Sequence, residues 1–113
     1  MADKGYNGWK NYETWNVKLW IDNEQGSSEY WAEQATDVWD DARAGDAYAS
    51  ETRKEGACRV LADMLKDQFE EAKPEVQGMW ADLLNAAMSE VDWYEIAENM
   101  LEEFEEEPAI AGE

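Results

Sequence analysis

Histidine is absent from the 113 residues and cysteine occurs once, as Cys58, so the groups able to do chemistry are almost all carboxylates: 28 Asp and Glu against nine Lys and Arg. Without imidazole, the commonest nucleophile–base pairs and zinc sites cannot be assembled. Paired carboxylates serve glycosidases as acid and nucleophile, but only across a cleft. Here their spacing puts them on outward helix faces, with no Gly-rich or cleft-forming loop nearby. Calcium chemistry comes nearest at Asp40, which opens a twelve-residue window with Gly45 in sixth place and Glu51 in twelfth, the turn and bidentate positions of an EF-hand loop. Ala42 and Ala44 stand at places three and five, where oxygen ligands are needed, so the window reads as a connection between helices. Seven scattered glycines form no phosphate-cradling loop. The expectation is a protein that is not an enzyme and holds no cofactor and no metal.

What the carboxylates can do together is present charge. The formal net charge is -19 and it is unevenly spread: residues 1–62 hold 12 acids and seven bases (net -5), residues 63–113 hold 16 acids and two bases (net -14). After Lys73 no basic residue follows for 40 positions. Asp63, Asp67, Glu70, Glu71, Glu75, Asp82, Glu90, Glu95, Glu98, Glu102, Glu103, Glu105, Glu106 and Glu107 are therefore taken as the partner-binding set. A solvated face would normally intersperse Lys or Arg among them. Such a chain repels nucleic acid and anionic membranes, which carry the same sign, so its expected partner is a basic protein, with no direct nucleic-acid or membrane contact.

These groups must be positioned by helices. Residues 1–10 read as an irregular arm whose isolated aromatics, Tyr6 and Trp9, anchor it, residues 11–105 as one helical domain, and residues 106–113 as a frayed acidic tail. Asn11 can cap a first helix carrying Tyr12, Trp15 and Leu19, although Trp15, Val17, Leu19 and Ile21 also alternate as in a strand; helix is the reading adopted, with Gly26 as a positive-φ stop. Ser27 or Ser28 can cap a second, with Trp31, Ala35, Val38, Trp39 and Ala42 on one face. A third is expected to start at Ser50 and Glu51, with a stripe of Ala57, Cys58, Leu61, Met64, Leu65 and Phe69. Pro74 suits the first turn of a fourth helix bearing Val76, Met79, Trp80, Leu83, Leu84 and Ala87. Asp92 with Glu95 resembles a capping box opening a fifth helix, with Trp93, Ile96, Ala97, Met100, Leu101 and Phe104 inward. The fold expected is all-α, a compact bundle of four to five helices around one core. Trp31, Trp39, Trp80 and Trp93 fall on the apolar stripes; Trp9 and Trp20 fit less well and are the aromatic candidates for an exposed contact. The lone cysteine, and the lack of an apolar N-terminal segment or a run near 18 apolar residues, lead to an expected cytoplasmic location.

The run GYNGWKNYETWNVKLWIDNEQG, over residues 5–26, resembles an NYETWNVALWIDND-type motif of short proteins from phages and mobile elements. VDWYEIAENMLEEF resembles the Trp-x-Glu-Ile-Ala segment near the end of ArdA-type antirestriction proteins, and LWID loosely resembles their WID element. The second resemblance implies an acidic DNA mimic that binds restriction enzymes, although this chain is shorter and shows no strand-rich N-terminal part. Carboxylates docking where phosphates would bind fits the charge reading, and the expected function is inhibition of a nucleic-acid-binding defence complex, antirestriction or anti-CRISPR. The alternative is an adaptor module in which the YETWNVKLWID segment and exposed Trp residues bind a partner and charge serves only solubility. Either way, self-repulsion on this scale is screened by salt. The melting temperature is expected to rise from low to moderate NaCl; a flat profile would contradict this.

Overall fold

The computed structural model describes residues 5–43 and 50–105. Residues 1–4, residues 44–49, which make up half of the EF-hand-like window, and the tail that includes Glu106 and Glu107 lie outside the described residues. The architecture is all-α: α1 (Tyr12–Asn23), α2 (Gln25–Asp41), α3 (Arg53–Ala72), α4 (Met79–Ser89) and α5 (Trp93–Met100). The α3–α5 pair packs most closely, α2 lies against α3 and α1, and α1 and α2 also meet α5, whereas α4 shares no comparable face with any of them.

The core is built from the stripes expected of α2, α3 and α5: Trp31, Ala35, Val38 and Trp39, then Ala57, Cys58, Leu61 and Leu65, then Trp93, Ile96, Ala97 and Leu101. Its aromatic spine is a stack in which Phe69 lies between Trp31 (centroids 6.1 Å) and Trp93 (5.7 Å), near the offset-stacked geometry aromatic pairs prefer. At the far end Arg53 donates to the Trp39 carbonyl (Nη2–O 2.7 Å) and its guanidinium lies 4.2 Å from the Trp39 ring centroid. That cation offsets Asp40 and Asp41, which sit unfavourably at the negative C-terminal end of the α2 dipole.

α1 departs from its expected face. Thr14 and Ile21 are buried with Val17 packed against the core, whereas Tyr12 is half-exposed and Trp15 and Leu19 are only partly covered. The reason is the polar clasp at its start. Asn11 caps α1, its Oδ1 accepting from Thr14 N (2.9 Å) and from the Thr14 hydroxyl (2.6 Å), while its Nδ2 donates to the Glu90 carbonyl (2.7 Å). The fully buried Thr14 Oγ1 accepts the Asp92 N–H at 2.9 Å, across 78 residues of sequence. Asp92 in turn caps α5 by accepting from Glu95 N (3.0 Å). In a capping box the Glu95 carboxylate would return to the Asp92 N–H. Thr14 already holds that donor, and Glu95 instead accepts from Lys10 N at 3.0 Å.

The arm before α1 is ordered by a two-residue turn. Tyr6 and Trp9 exchange both backbone hydrogen bonds (2.8 and 2.7 Å), with Asn7 and Gly8 between them at φ of 49° and 88°, the two positive values of a type I′ turn. The Tyr6 ring then meets the edges of Tyr12 and Trp15.

Four boundaries differ from expectation. α2 starts at Gln25 after Glu24, so Ser27 and Ser28 lie inside it and do not cap it. Gly26 lies inside α2 and does not stop α1; the break is Glu24 alone, in extended backbone that any residue adopts. α3 starts at Arg53, because Thr52 and Glu55 form the reciprocal capping box that Ser50 and Glu51 cannot. Pro74 lies in an extended connection, not in a first turn: proline pushes the preceding Lys73 out of the helical region (ψ 132°), and α4 begins only after Gly78 at φ 63°.

Replacing Thr14 with Val keeps the shape but leaves the buried Asp92 N–H and the Asn11 carboxamide short of a partner. This should cost about 2 kcal/mol and lower the melting temperature by several degrees, with Thr14→Ser retaining the hydrogen bonds. Wild-type stability in Thr14→Val would show that the clasp is incidental.

Candidate functional site

Of the described acidic candidates, Asp63, Asp67, Glu70, Glu71, Glu75, Asp82, Glu90, Glu98, Glu102, Glu103 and Glu105 are exposed. Glu95 is not: it is only 9% exposed and committed to Lys10 N, so it is a structural group and leaves the partner-binding set. The two aromatic candidates divide. Trp20 is 63% exposed, whereas Trp9 is half-buried and packs against the core, held there by the Asn7–Gly8 turn. Trp80, expected inside, is also 63% exposed: α4 buries no residue and meets the core through Met88.

The exposed acids do not form one patch. Glu98 and Glu102 line a cleft with Trp9 and Lys54, and Lys54 Nζ lies 3.5 Å from the Glu102 carbonyl, so positive charge is present among them. A further set of exposed carboxylates stands along the α2–α3 seam, which Arg43 and Arg59 also line. α2 carries Glu29, Glu33, Asp37, Asp40 and Asp41, all exposed, and contains no Lys or Arg. Tyr30 and Gln68 hydrogen-bond across the seam (3.1 Å), and Asp37 and Asp41 border it opposite Val60 and Met64. Asp63 and Asp67 lie three residues beyond Val60 and Met64, one turn along the same side of α3. Two carboxylate rows, Glu33–Asp37–Asp41 and Asp63–Asp67–Glu71, thus flank one seam. Within each row neighbours are about 5–6 Å apart between Cβ atoms. The α2 row belongs to the half of lower net charge; its i, i+4, i+8 spacing was the signal that would have singled it out.

Of the nearby bases Arg59 and Arg43 are engaged, whereas Lys66 lies exposed on α3 between Asp63 and Asp67 in sequence. Arg59 forms a paired contact with Glu51 (2.9 and 3.2 Å), holding that carboxyl below the usual range, and Arg43 donates to the Asp40 and Ala42 carbonyls. Glu51, the would-be bidentate ligand of the EF-hand-like window, is thereby bound to a cation of the chain itself. Among the described residues no group of three or more Cys, Asp or Glu side chains is arranged to hold a metal ion, and no helix is long and apolar enough to cross a membrane.

Residues 2–107 match a family described as Family of unknown function (DUF7249). The chain belongs to DUF7249. No curated protein and no solved structure matches it.

The one thiol of this DUF7249 chain is a core group. Burial, reinforced by the Glu98 carboxylate, pushes Cys58 up to about 11, and burial also raises Tyr94, which is hydrogen-bonded to it. Both groups stay protonated longer in the folded chain than in the unfolded one, so their contribution to stability is complete below about pH 9 and is lost as pH rises towards 11. Unfolding free energy should therefore decline over that window and decline less in Cys58→Ala, with Cys58 inert to thiol reagents at pH 8 until denaturant is added. Rapid labelling of the folded protein would contradict this.

Proposed function

We propose that the protein is a non-catalytic inhibitor that presents carboxylates in place of nucleic-acid phosphates to a basic protein of a defence complex, antirestriction or anti-CRISPR in kind, in the cytoplasm of the cell. The observation that carries the reading is the pair of carboxylate rows along the α2–α3 seam. The five acids of α2 lie within 13 residues, about 18 Å of helix axis from first to last, or one charge per roughly 4 Å. Duplex DNA carries one per about 1.7 Å, counted over two strands, and two such rows on neighbouring helices approach that density. Packed helix axes lie about 8–10 Å apart, so outward carboxylates on the two helices fall in the range of the roughly 12 Å major groove. The partner's Lys and Arg would then trade phosphates for carboxylates, releasing their counter-ions.

The resemblance of residues 5–26 to proteins of phages and mobile elements, and of residues 91–104 to ArdA-type proteins, supports the defence setting. The clasp at Asn11 and Thr14 supplies a structural reason for the NYETW segment, so that segment need not be a contact surface.

The test is competition. Purified type I restriction and CRISPR effector complexes are bound to labelled duplex and titrated with the protein. Displacement near one-to-one stoichiometry, weakening steeply as salt rises, is expected for at least one complex, and Asp37→Lys with Asp63→Lys and Asp67→Lys should weaken it at least about tenfold. Displacement unaffected by the triple substitution, or no displacement from any complex, would overturn the proposal.

A further inference from the structure

A surface helix carries polar residues on the side away from the core, and a helix that is apolar all round is a buried one. α4 breaks that rule. Its inner side, with Ala81, Leu84 and Met88, is half-buried, and its outer side is apolar as well: Met79, Trp80 and Leu83 are 62%, 63% and 55% exposed. At about 100° per residue, Met79, Leu83, Ala87 and Trp80 fall within an arc of roughly 100°, one continuous strip. The single charged side chain among the 11 residues of α4, Asp82, stands about 100° to the side of Leu83. The strip therefore holds no charge with which to select a basic or an acidic partner. What it offers is shape.

That shape fits itself. The N-terminal half of the strip is bulky, with Met79 and Trp80, and its C-terminal half is small, with Ala86 and Ala87; Leu83 stands midway. In a two-fold interface each contact occurs twice with the roles exchanged. Two α4 helices packed antiparallel about Leu83 set Met79 and Trp80 of each copy over Ala86 and Ala87 of the other, whereas a parallel pair in register sets bulk on bulk. Antiparallel packing also brings the positive N-terminal end of one helix dipole beside the C-terminal end of the other, where α4 has no base in its last turn and is followed by Glu90. We propose that a second copy of this chain covers the outer strip of α4, forming an antiparallel α4–α4 dimer. Met79, Trp80 and Leu83 leave on the order of 400 Å² per copy in water. The pair then buries roughly 800 Å², the size of a weak, concentration-dependent interface. Each copy brings a net charge of -19, so the dimer strengthens as salt screens the repulsion. Among the described residues none of α4 lines the α2–α3 seam, and the inference does not rest on phosphate mimicry there.

The test is sedimentation equilibrium of the full chain up to sub-millimolar concentration, at about 0.01, 0.15 and 1 M NaCl, across which the Debye length falls from ~30 to ~3 Å. The apparent mass should move from that of one chain towards that of two as concentration and salt rise. Leu83→Lys, which sets two cations together at the two-fold axis, should leave a single chain under every condition. Ala86→Trp, at an exposed position, fills the space that receives Met79 of the other copy and should weaken association at least about tenfold although it adds apolar surface. Met79→Ala in the same chain should restore it. Trp20→Ser, equally exposed but on α1, should leave the dimer intact. Circular dichroism melts matching the wild type establish that each variant is folded. A single chain at every concentration and salt would overturn the proposal, as would association unchanged in Leu83→Lys. So would association strengthened by Ala86→Trp, the behaviour of an apolar patch with no fitted copy, or association lost in Trp20→Ser alone. The assay contains neither nucleic acid nor a defence complex, so its failure is separate from a failure of the competition test.

Discussion

Everything in this fold hangs on a buried hydroxyl. Thr14 Oγ1 gives its proton to Asn11 and accepts the N–H of Asp92, and through those two caps the starts of α1 and α5 become one joint. An N–H at a helix start has no partner within its helix and must find one elsewhere. Here two helix starts satisfy each other, and Glu95 and Asn11 extend the arrangement to Lys10 N and the Glu90 carbonyl. Among the described residues no buried side-chain polar atom is left without a partner, so the joint adds direction without an uncompensated desolvation cost. It also sets the rotation of α1, which turns Trp20 outward and Ile21 inward.

The charge is tolerable because the interior is unusually aromatic. The stack of Trp31, Phe69 and Trp93 joins α2, α3 and α5 through large rigid surfaces, each ring burying on the order of 150–250 Å². That apolar gain works against self-repulsion among carboxylates placed on the outer faces, where water and salt weaken the repulsion most. α2 carries five acids and no base while its inner face supplies Trp31 to the stack, so that part of the field lies over the firmest part of the core.

How legible this was depends on how local the cause is. The stripes of α2, α3 and α5 follow from 3.6-residue periodicity, and each helix lies where its pattern places it. Asn11 as a cap was legible for the same reason: donor and acceptor are three residues apart. Glu95 was not, because a carboxylate at the third helical position looks alike whether it returns to its own cap or is diverted by a threonine 81 residues earlier. Trp80 misled because periodicity reports an apolar face but not what covers it. The Asn7–Gly8 turn carried a hairpin signal in a segment too short and too rich in Gly and Asn to look ordered. The acidic row of α2 was hidden by totals: counting charge by halves of the chain masked a helix with no base at all.

Tying residue 14 to residue 92 also decides the order in which the molecule can be made. The ribosome releases the chain from its first residue onward, and α2 with α3, being neighbours in sequence, can pair as soon as both have emerged. α1 can lie against α2 in the same way, but its first turn is completed only later, since the groups that satisfy it belong to a segment still to be translated. Until Asp92 and Glu95 appear, the first helix and its arm wait beside a half-built core with Trp31 and Phe69 lacking their third ring. The joint between the first and last helices therefore closes late, and the last seventh or so of the described chain is what closes it.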